Sequence, residues 1–354
     1  MTRTHVGRLA ALALAAATVV AACGGTGSSA APATASADAA PTVRFGVFPN
    51  ITHAPGLVML ADGGPLAKAL PNATIKVESF NSGTKAVEAM FSDAIDITFV
   101  GPNPSINAYA QSKGEAVRVI AGSTSGGAFL VVRPEIATAA ELKGKKIATP
   151  SLGNTQDVAL RAWLKDQGFT TDTAGGGDVS VVPQENAQTL ETFIAGTIDG
   201  AWVPEPWATR LVTEGGAKVL VDEGSLWPDG KYVTTQLMVS TKWLAANPAT
   251  AKTIVETLIA TIDQVNADPA AAQKTVNAEI KKWTSKQLKD EILTAAWGNL
   301  TFTIDPIASS LATSAADAQD LGLLKDPGDL KGLYDLTILN DILKAQGKPE
   351  VSGL

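Results

Sequence analysis

Read by its apolar and polar positions, the chain alternates strands and helices. Apolar or alternating runs near 43–48, 74–79, 95–100, 117–122 and 128–133 read as strands, and so do 145–149, 179–182, 198–203, 217–221 and 233–239. Helical periodicity fills most of the gaps. The fold class is therefore α/β, with mainly parallel sheets and ligand loops at the C-terminal strand ends. After Ser240 the pattern turns almost wholly helical. Asn247-Pro248 opens a long helix, Asp268-Pro269 breaks it, and further helices run to about Gln346.

The chain also echoes itself. Asn81-Ser82-Gly83-Thr84, an amphipathic helix, and then Ile95-Asp96 lead into a buried strand and Pro102-Asn103-Pro104. Asn186-Ala187-Gln188-Thr189, another such helix, and Ile198-Asp199 lead into a second strand and Pro204-Glu205-Pro206. Proline suits the first turn of a helix, where its missing N–H has no partner to lose. A looser match joins Val43–Phe48 and its following Asn50-Ile51-Thr52 to Lys146–Thr149 and its following Gly153-Asn154-Thr155. Two related lobes are expected. Ala128–Val132 and Val233–Val239 read as buried strands where one lobe hands over to the other, and the helical tail should pack back on the first.

The N-terminus changes the picture. Arg3 and Arg8 precede an Ala-rich apolar run that ends in Val20-Ala21-Ala22-Cys23, the chain's only cysteine. This is the layout of a secretory signal, residues 1–22, with Cys23 where a bacterial lipoprotein carries its lipid. Gly24 to Pro41 holds only Gly, Thr, Ser, Ala, Pro and one Asp, so 23–41 reads as a flexible, lipid-anchored tether. About 310 residues remain, more than one hydrophobic core usually serves. The signal takes two arginines with it, so Lys+Arg falls from 28 to 26 against 35 Asp+Glu, a balance of −9. Nucleic acid and polybasic membrane binding are thereby disfavoured. A small anion is not, because helix dipoles rather than net charge can hold it.

The available chemistry is narrow. His5 leaves with the signal and Cys23 is acylated, so His53 stands alone and clustered His/Cys metal sites are excluded; no metal or cofactor is expected. A hydrolase would need His53 as its base, yet no G-x-S-x-G stands at a strand-to-helix turn. Gly175-Gly176-Gly177 leads into a strand, so it is a loop and not a phosphate cradle. What remains is a set of donor-rich turns at helix starts: Asn50–His53, Asn81–Thr84, Gly101–Asn103, Ser123–Gly127 and Gly153–Gln156. Unpaired N–H groups and a partial positive charge make such turns fit an oxyanion, although the same residues also serve as ordinary caps. Trp202 either lines an apolar part of a ligand or packs in a core. Glu205 either caps a helix, pairs with the facing lobe or grips a ligand ammonium.

Together, Gly46-Val47-Phe48-Pro49, Asp96 to Pro102, Gly122 to Arg133 (GSTSGGAFLVVR), Leu142 to Ala148, Gly153 to Arg161 (GNTQDVALR), Asp199 to Trp207 (DGAWVPEPW) and Thr234-Thr235 resemble a known group. It is the substrate-binding proteins of ABC importers for aliphatic sulfonates, taurine and nitrate, and the likeness runs from about residue 42 to 345. The resemblance implies a two-lobed periplasmic-binding-protein fold of type II with two hinge crossover strands and a helical C-terminal tail. It implies lobe one over 42–129, lobe two over 130–234, and a return to lobe one over 235–354. Carried over position by position, Asn50, Thr52, His53, Ser82, Gly83, Gly101, Pro102, Ser125 and Gly126 face the ligand from lobe one. Asn154, Thr155, Gln156, Trp202 and Glu205 face it from lobe two, with Trp202 and Phe99 as the wall for an alkyl tail. The partners implied are a small anionic ligand, a membrane permease and its ATPase, with a monomer held to the membrane by its lipid. An aliphatic sulfonate is the expected ligand. Taurine or nitrate is the alternative within the group, and a membrane-tethered secreted hydrolase is the alternative from another class.

Overall fold

β1 (Thr42–Val47) turns Val43, Phe45 and Val47 inward, and a 3-10 turn (Ile51–His53), α1 (Ala54–Leu60) and α2 (Pro65–Ala69) lead to β2 (Thr74–Ser79). α3 (Gly83–Phe91), β3 (Ile97–Val100), α4 (Pro102–Gln111) and β4 (Val117–Gly126) complete a first run. A second run holds β5 (Ala128–Val132), β6 (Lys146–Thr149), α5 (Thr155–Asp166), β7 (Ser180–Pro183), α6 (Asn186–Ile194), β8 (Gly200–Pro204), α7 (Trp207–Thr213) and β9 (Lys218–Asp222). β10 (Val233–Ser240) is followed by α8 (Thr241–Ala246), α9 (Pro248–Ala267), α10 (Pro269–Thr284) and α11 (Asp290–Gly298). β11 (Leu300–Phe302), α12 (Ala308–Asp320) and α13 (Thr337–Ala345) close the chain. This computed structural model describes residues 41–354. The signal segment, Cys23 and the tether up to residue 40 lie outside the described residues.

The strands form two sheets, β11-β4-β10-β3-β1-β2 and β7-β6-β8-β5-β9. Without β11 the two orders coincide. Each has three parallel neighbours, then a strand contributed by the other run of chain, then a fourth. β1 pairs in parallel with β2 and β3, and β6 with β7 and β8. Every pairing of β10, β5 and β11 is antiparallel. The sheets are thus mixed rather than mainly parallel. The cause is the two crossovers: β4 hands directly to β5, and β9 to β10, so each inserts a strand backwards into the facing sheet. β11 went unforeseen because three residues on a sheet edge are too few for alternation to register.

The echo in sequence is an echo in hydrogen bonds. In the first lobe the Asp96 N–H donates to Arg44 O at 2.8 Å, while the Asp96 carboxylate accepts the Arg44 N–H at 3.0 Å. In the second, the Asp199 N–H donates to Lys146 O at 2.8 Å and its carboxylate accepts the Lys146 N–H, also at 2.8 Å. Each aspartate's own carbonyl then accepts an N–H at the end of the reversed strand, from Ser240 at 2.8 Å and Arg133 at 2.9 Å. One Ile-Asp turn per lobe therefore stitches three strands. An acceptor-rich short side chain is what such a strand entry needs.

Helices cover both faces of both sheets, so the central strands β3, β5 and β8 are buried along their whole length. On the first sheet, α1, α9, α10, α11 and α13 bury Phe45, Phe99, Leu258, Ile292 and Leu339 on one side, and α3, α4 and α12 bury Met90, Ile106 and Leu311 on the other. The helical tail thus packs on the first lobe. In the second lobe, alternation along β8 sends Ala201 and Val203 toward Phe193 and Leu211, and Trp202 toward Leu130 and Leu160.

Removing the Asp96 carboxylate leaves the Arg44 N–H without its acceptor at a buried strand start. We expect Asp96→Ala to cost about 1–3 kcal/mol, seen as a lower urea midpoint with an unchanged slope.

Candidate functional site

The loops that leave the parallel strands of both sheets meet in one crevice. Phe48 follows β1, Gly83 follows β2 and Gly101 follows β3; Pro150 follows β6, Asn186 follows β7 and Pro204 closes β8. They enclose a cavity of about 40 Å³. The first turns of α3, α4, α5 and α6 point their free N–H ends into this region, where α3 and α5 are capped by Ser82 and Asn154. Pro102 and Pro104 leave the first turn of α4 two such donors fewer.

Eight of the residues picked out from the sequence line the cavity. Asn50, Thr52, His53, Gly83 and Gly101 come from the first lobe, and Asn154, Thr155 and Gln156 from the second. No lysine, arginine, aspartate or glutamate lines it. Five of its side chains carry a buried polar atom without a hydrogen-bond partner: Asn50 Oδ1, His53 Nε2, Thr155 Oγ1, Asn186 Oδ1 and Thr235 Oγ1. A half-turn of either asparagine amide exchanges its oxygen for a donor.

His53 is the most constrained of them. Its ring stacks on Phe48 with centroids 4.5 Å apart, and Thr52 Oγ1 lies 3.1 Å from its Nδ1. Burial pushes its pKa down to about 3. At neutral pH the imidazole is therefore uncharged, able to donate one N–H but unable to supply a positive charge.

The remaining sequence candidates lie elsewhere. Ser82 caps α3, accepting the Lys85 N–H at 3.4 Å, and Pro102 forms the first turn of α4. Ser125 and Gly126 end β4 and tie the crossovers together: Ser125 Oγ accepts the Tyr232 N–H at 3.4 Å, and Gly126 O accepts the Thr234 hydroxyl at 2.6 Å. Trp202 is not a cleft wall. It is fully buried in the second core, and its indole N–H donates to Glu223 Oε2 at 2.7 Å. Phe99 is likewise core, packed so close to Gly56 that a Cβ there would lie 2.7 Å from its ring. Strand alternation directs both side chains into the layers, away from the strand ends.

Glu205 does not line the cavity. It is fully buried, accepts the Thr209 N–H and hydroxyl at 3.1 and 2.8 Å, and accepts the Asn299 amide at 2.7 Å from the segment before β11. It thereby both caps α7 and joins the lobes. Burial raises its pKa, opposed by these same hydrogen bonds.

Further contacts bridge the crevice. Lys85 Nζ reaches Glu185 at 3.1 Å, and Asn107 Nδ2 donates to Gly153 O at 3.5 Å. Gly101 stands so near the other lobe that a Cβ there would lie 2.7 Å from Thr155 Oγ1. Asn81, from one of the donor-rich turns, also lines the cavity, as do Phe48, Pro150, Asn186, Pro204, Thr234 and Thr235, none of them named as a ligand contact from the sequence. Asn186 was within reach, since the repeat sets it opposite the Asn81 turn. Thr234 and Thr235 arrive on β10, a strand whose apolar neighbours mask them.

Two facing sheets, each holding one reversed strand from the other run, with a polar crevice between them, define a two-lobed periplasmic-binding-protein architecture. Solved structures bear this out. The alkanesulfonate-binding protein SsuA from Xanthomonas axonopodis pv. citri, bound to MOPS, matches with a TM-score of 0.69 at 18% identity over 84% of this chain and 99% of that one. The nitrate-binding protein NrtA from Synechocystis PCC 6803 matches with a TM-score of 0.70 at 16% identity over 88% and 90%. Residues 36–280 match the NMT1-like family, and the chain belongs to it. Among curated relatives, the taurine-binding periplasmic protein of Escherichia coli (strain K12) is 28% identical over 187 residues, 53% of this chain. That match spans 56% of the relative, little more than half its length.

The buried neutral His53 makes stability depend on pH. In the unfolded chain the imidazole takes its proton near pH 6.5, and in the folded one only near pH 3. Between those values the unfolded state binds more protons, so stability falls as pH is lowered. In ligand-free protein, the melting temperature should drop more steeply from pH 6.5 to 5 than it does in His53→Gln.

Proposed function

We propose that this protein is the extracytoplasmic solute-binding component of an ABC importer and that its cleft captures an aliphatic sulfonate of short chain. One observation carries the reading: buried polar atoms from both lobes stand without partners around a single cavity that contains no charged side chain. A sulfonate is anionic at any physiological pH and offers only acceptors, so it is served by hydroxyls, amides, a neutral imidazole and helix starts. The relatives' printed names point the same way, to taurine, nitrate and alkanesulfonates. Taurine fits less well, because no carboxylate lines the cavity to receive its ammonium. Nitrate is the second reading, favoured by the cavity's volume of about 40 Å³ and by the withdrawal of Trp202 and Phe99 into the cores.

Binding between lobes, rather than turnover, is the supported chemistry. His53 hydrogen-bonds to Thr52 and stacks on Phe48, with no carboxylate positioned to orient the ring as a base. A ligand held from both sides favours the arrangement in which the lobes touch, and a permease with its ATPase would read that arrangement. Cys23 as a lipid anchor would keep the monomeric protein at the outer face of the membrane.

A thermal-shift screen with methanesulfonate, ethanesulfonate, taurine, nitrate and sulfate tests the reading. The matching ligand at a hundred times its dissociation constant should stabilise the protein by about 2.7 kcal/mol. Stabilisation by nitrate alone would select the second reading, and no shift with any of the five would overturn both. Gly101→Ala should fold normally, yet bind the same ligand about tenfold or more weakly by calorimetry, because its methyl group meets Thr155 across the cleft.

A further inference from the structure

A second and larger cavity lies at the hinge, apart from the cleft. It opens between α5 of the second lobe, the short 3-10 turns after β9 (Glu223–Leu226 and Pro228–Gly230), and α12, whose other side packs on the first lobe through Leu311 and Ala315. Its volume is about 350 Å³, inside the ordinary range for small-molecule sites of roughly 300–1,000 Å³. We propose that this cavity binds a small organic cation, an amine or quaternary ammonium, between the indoles of Trp163 and Trp227 and the carboxylates of Glu223, Asp166 and Asp317.

Its walls are unlike those of the cleft in every respect that matters for charge. Glu223 is 2% exposed, lines the cavity, and receives the Trp202 indole N–H, a neutral donor. Neither it nor Asp166 nor Asp317 has a salt-bridge partner among the described residues, and the one cation in the lining, Lys165, is bonded to Asp320. A buried carboxylate met only by indole donors is costly to keep charged, and a cation brought against it relieves that cost. Burial raises the Glu223 pKa to about 7, and burial with Asp166 and Asp320 nearby raises that of Asp317. Both shifts come first from burial, and a cation bound beside either carboxylate opposes them.

The aromatic walls specify an organic cation over a metal ion. Trp163 packs against Trp202 with centroids 6.0 Å apart, and Trp227 stacks on Tyr232 at 5.7 Å with the rings 14° from parallel. Indole faces attract ammonium groups through the ring quadrupole but do not ligate hard cations. The described residues contain no group of three ligating side chains able to hold a metal. The cage is also rigid: the Tyr232 hydroxyl accepts the Ala128 N–H at 3.0 Å, which fixes this wall to the start of β5 beside the second crossover.

Titration of the full chain with tetramethylammonium and with n-butylammonium, followed by tryptophan emission and by calorimetry, tests the assignment. Saturable binding is expected, weakened about tenfold or more in Trp227→Leu and Asp317→Asn. Thr313→Trp, which fills the cavity without touching its charges, should abolish it. Melting temperatures identify any variant that fails to fold, and the half-buried Asp317→Asn keeps the test decisive if Trp227→Leu does. No saturation by about 50 mM of either probe, or binding indifferent to both Asp317→Asn and Thr313→Trp, overturns the proposal. Neither result depends on whether the cleft binds a sulfonate.

Discussion

The organising constraint is a set of buried polar groups that the fold leaves without partners. Parallel strands deliver their loops to one end of a sheet, and helices that start there leave their first N–H groups free. With two such sheets facing each other, the free ends of α3 and α4 meet those of α5 and α6 across about 40 Å³. Burying polar groups without partners is unfavourable. The absence of lysine and arginine from the lining is consistent with that account. Fixed dipoles and hydroxyls can hold an oxyanion without the strong nonspecific field that cationic side chains would bring.

Facing sheets must also be held at a workable separation, and the crossovers do this. Each reversed strand is paired on both sides within its sheet, so the hinge is built from central strands rather than from loose connections. The Ile-Asp turns fix those strands by the same three hydrogen bonds in each lobe. Glu205 adds a polar link from the end of β8 to Asn299, and Tyr232 adds another from the start of β10 to Ala128. The prominent Pro-Glu-Pro segment thus serves the joint between lobes, although its position beside the cleft suggested ligand contact.

The two cavities make an electrostatic contrast within one molecule. The cleft combines neutral donors with helix N-termini, and the hinge cavity combines carboxylates with indole faces. α5 serves both: its N-terminal turn borders the cleft, while Trp163 and Asp166, two to three turns further on, border the other cavity. Its positive end faces the cleft, and its negative end, where the macrodipole favours cations, borders the hinge cavity.

Ten of the eleven strands, the doubling of the chain and the cleft turns around Asn50, Gly83, Gly101 and Asn154 were legible in sequence. They depend on periodicity, on proline and glycine punctuation and on a repeated Ile-Asp motif, which are local signals. Strand direction was not legible, because β5 and β10 look like any apolar strand until the chain is seen to cross between sheets. Neighbours in sequence left Trp202 open between ligand wall and core, and Glu205 open between cap, lobe pairing and ligand contact, whereas their neighbours in space, Glu223 and Asn299, place them in the core and the joint. The hinge cavity was invisible for the same reason, since Trp163, Trp227 and Asp317 come from three separate elements. Periodicity determines which side chains are buried. Only the packing of distant elements determines what each one is buried against, and it is the partner that decides the chemistry.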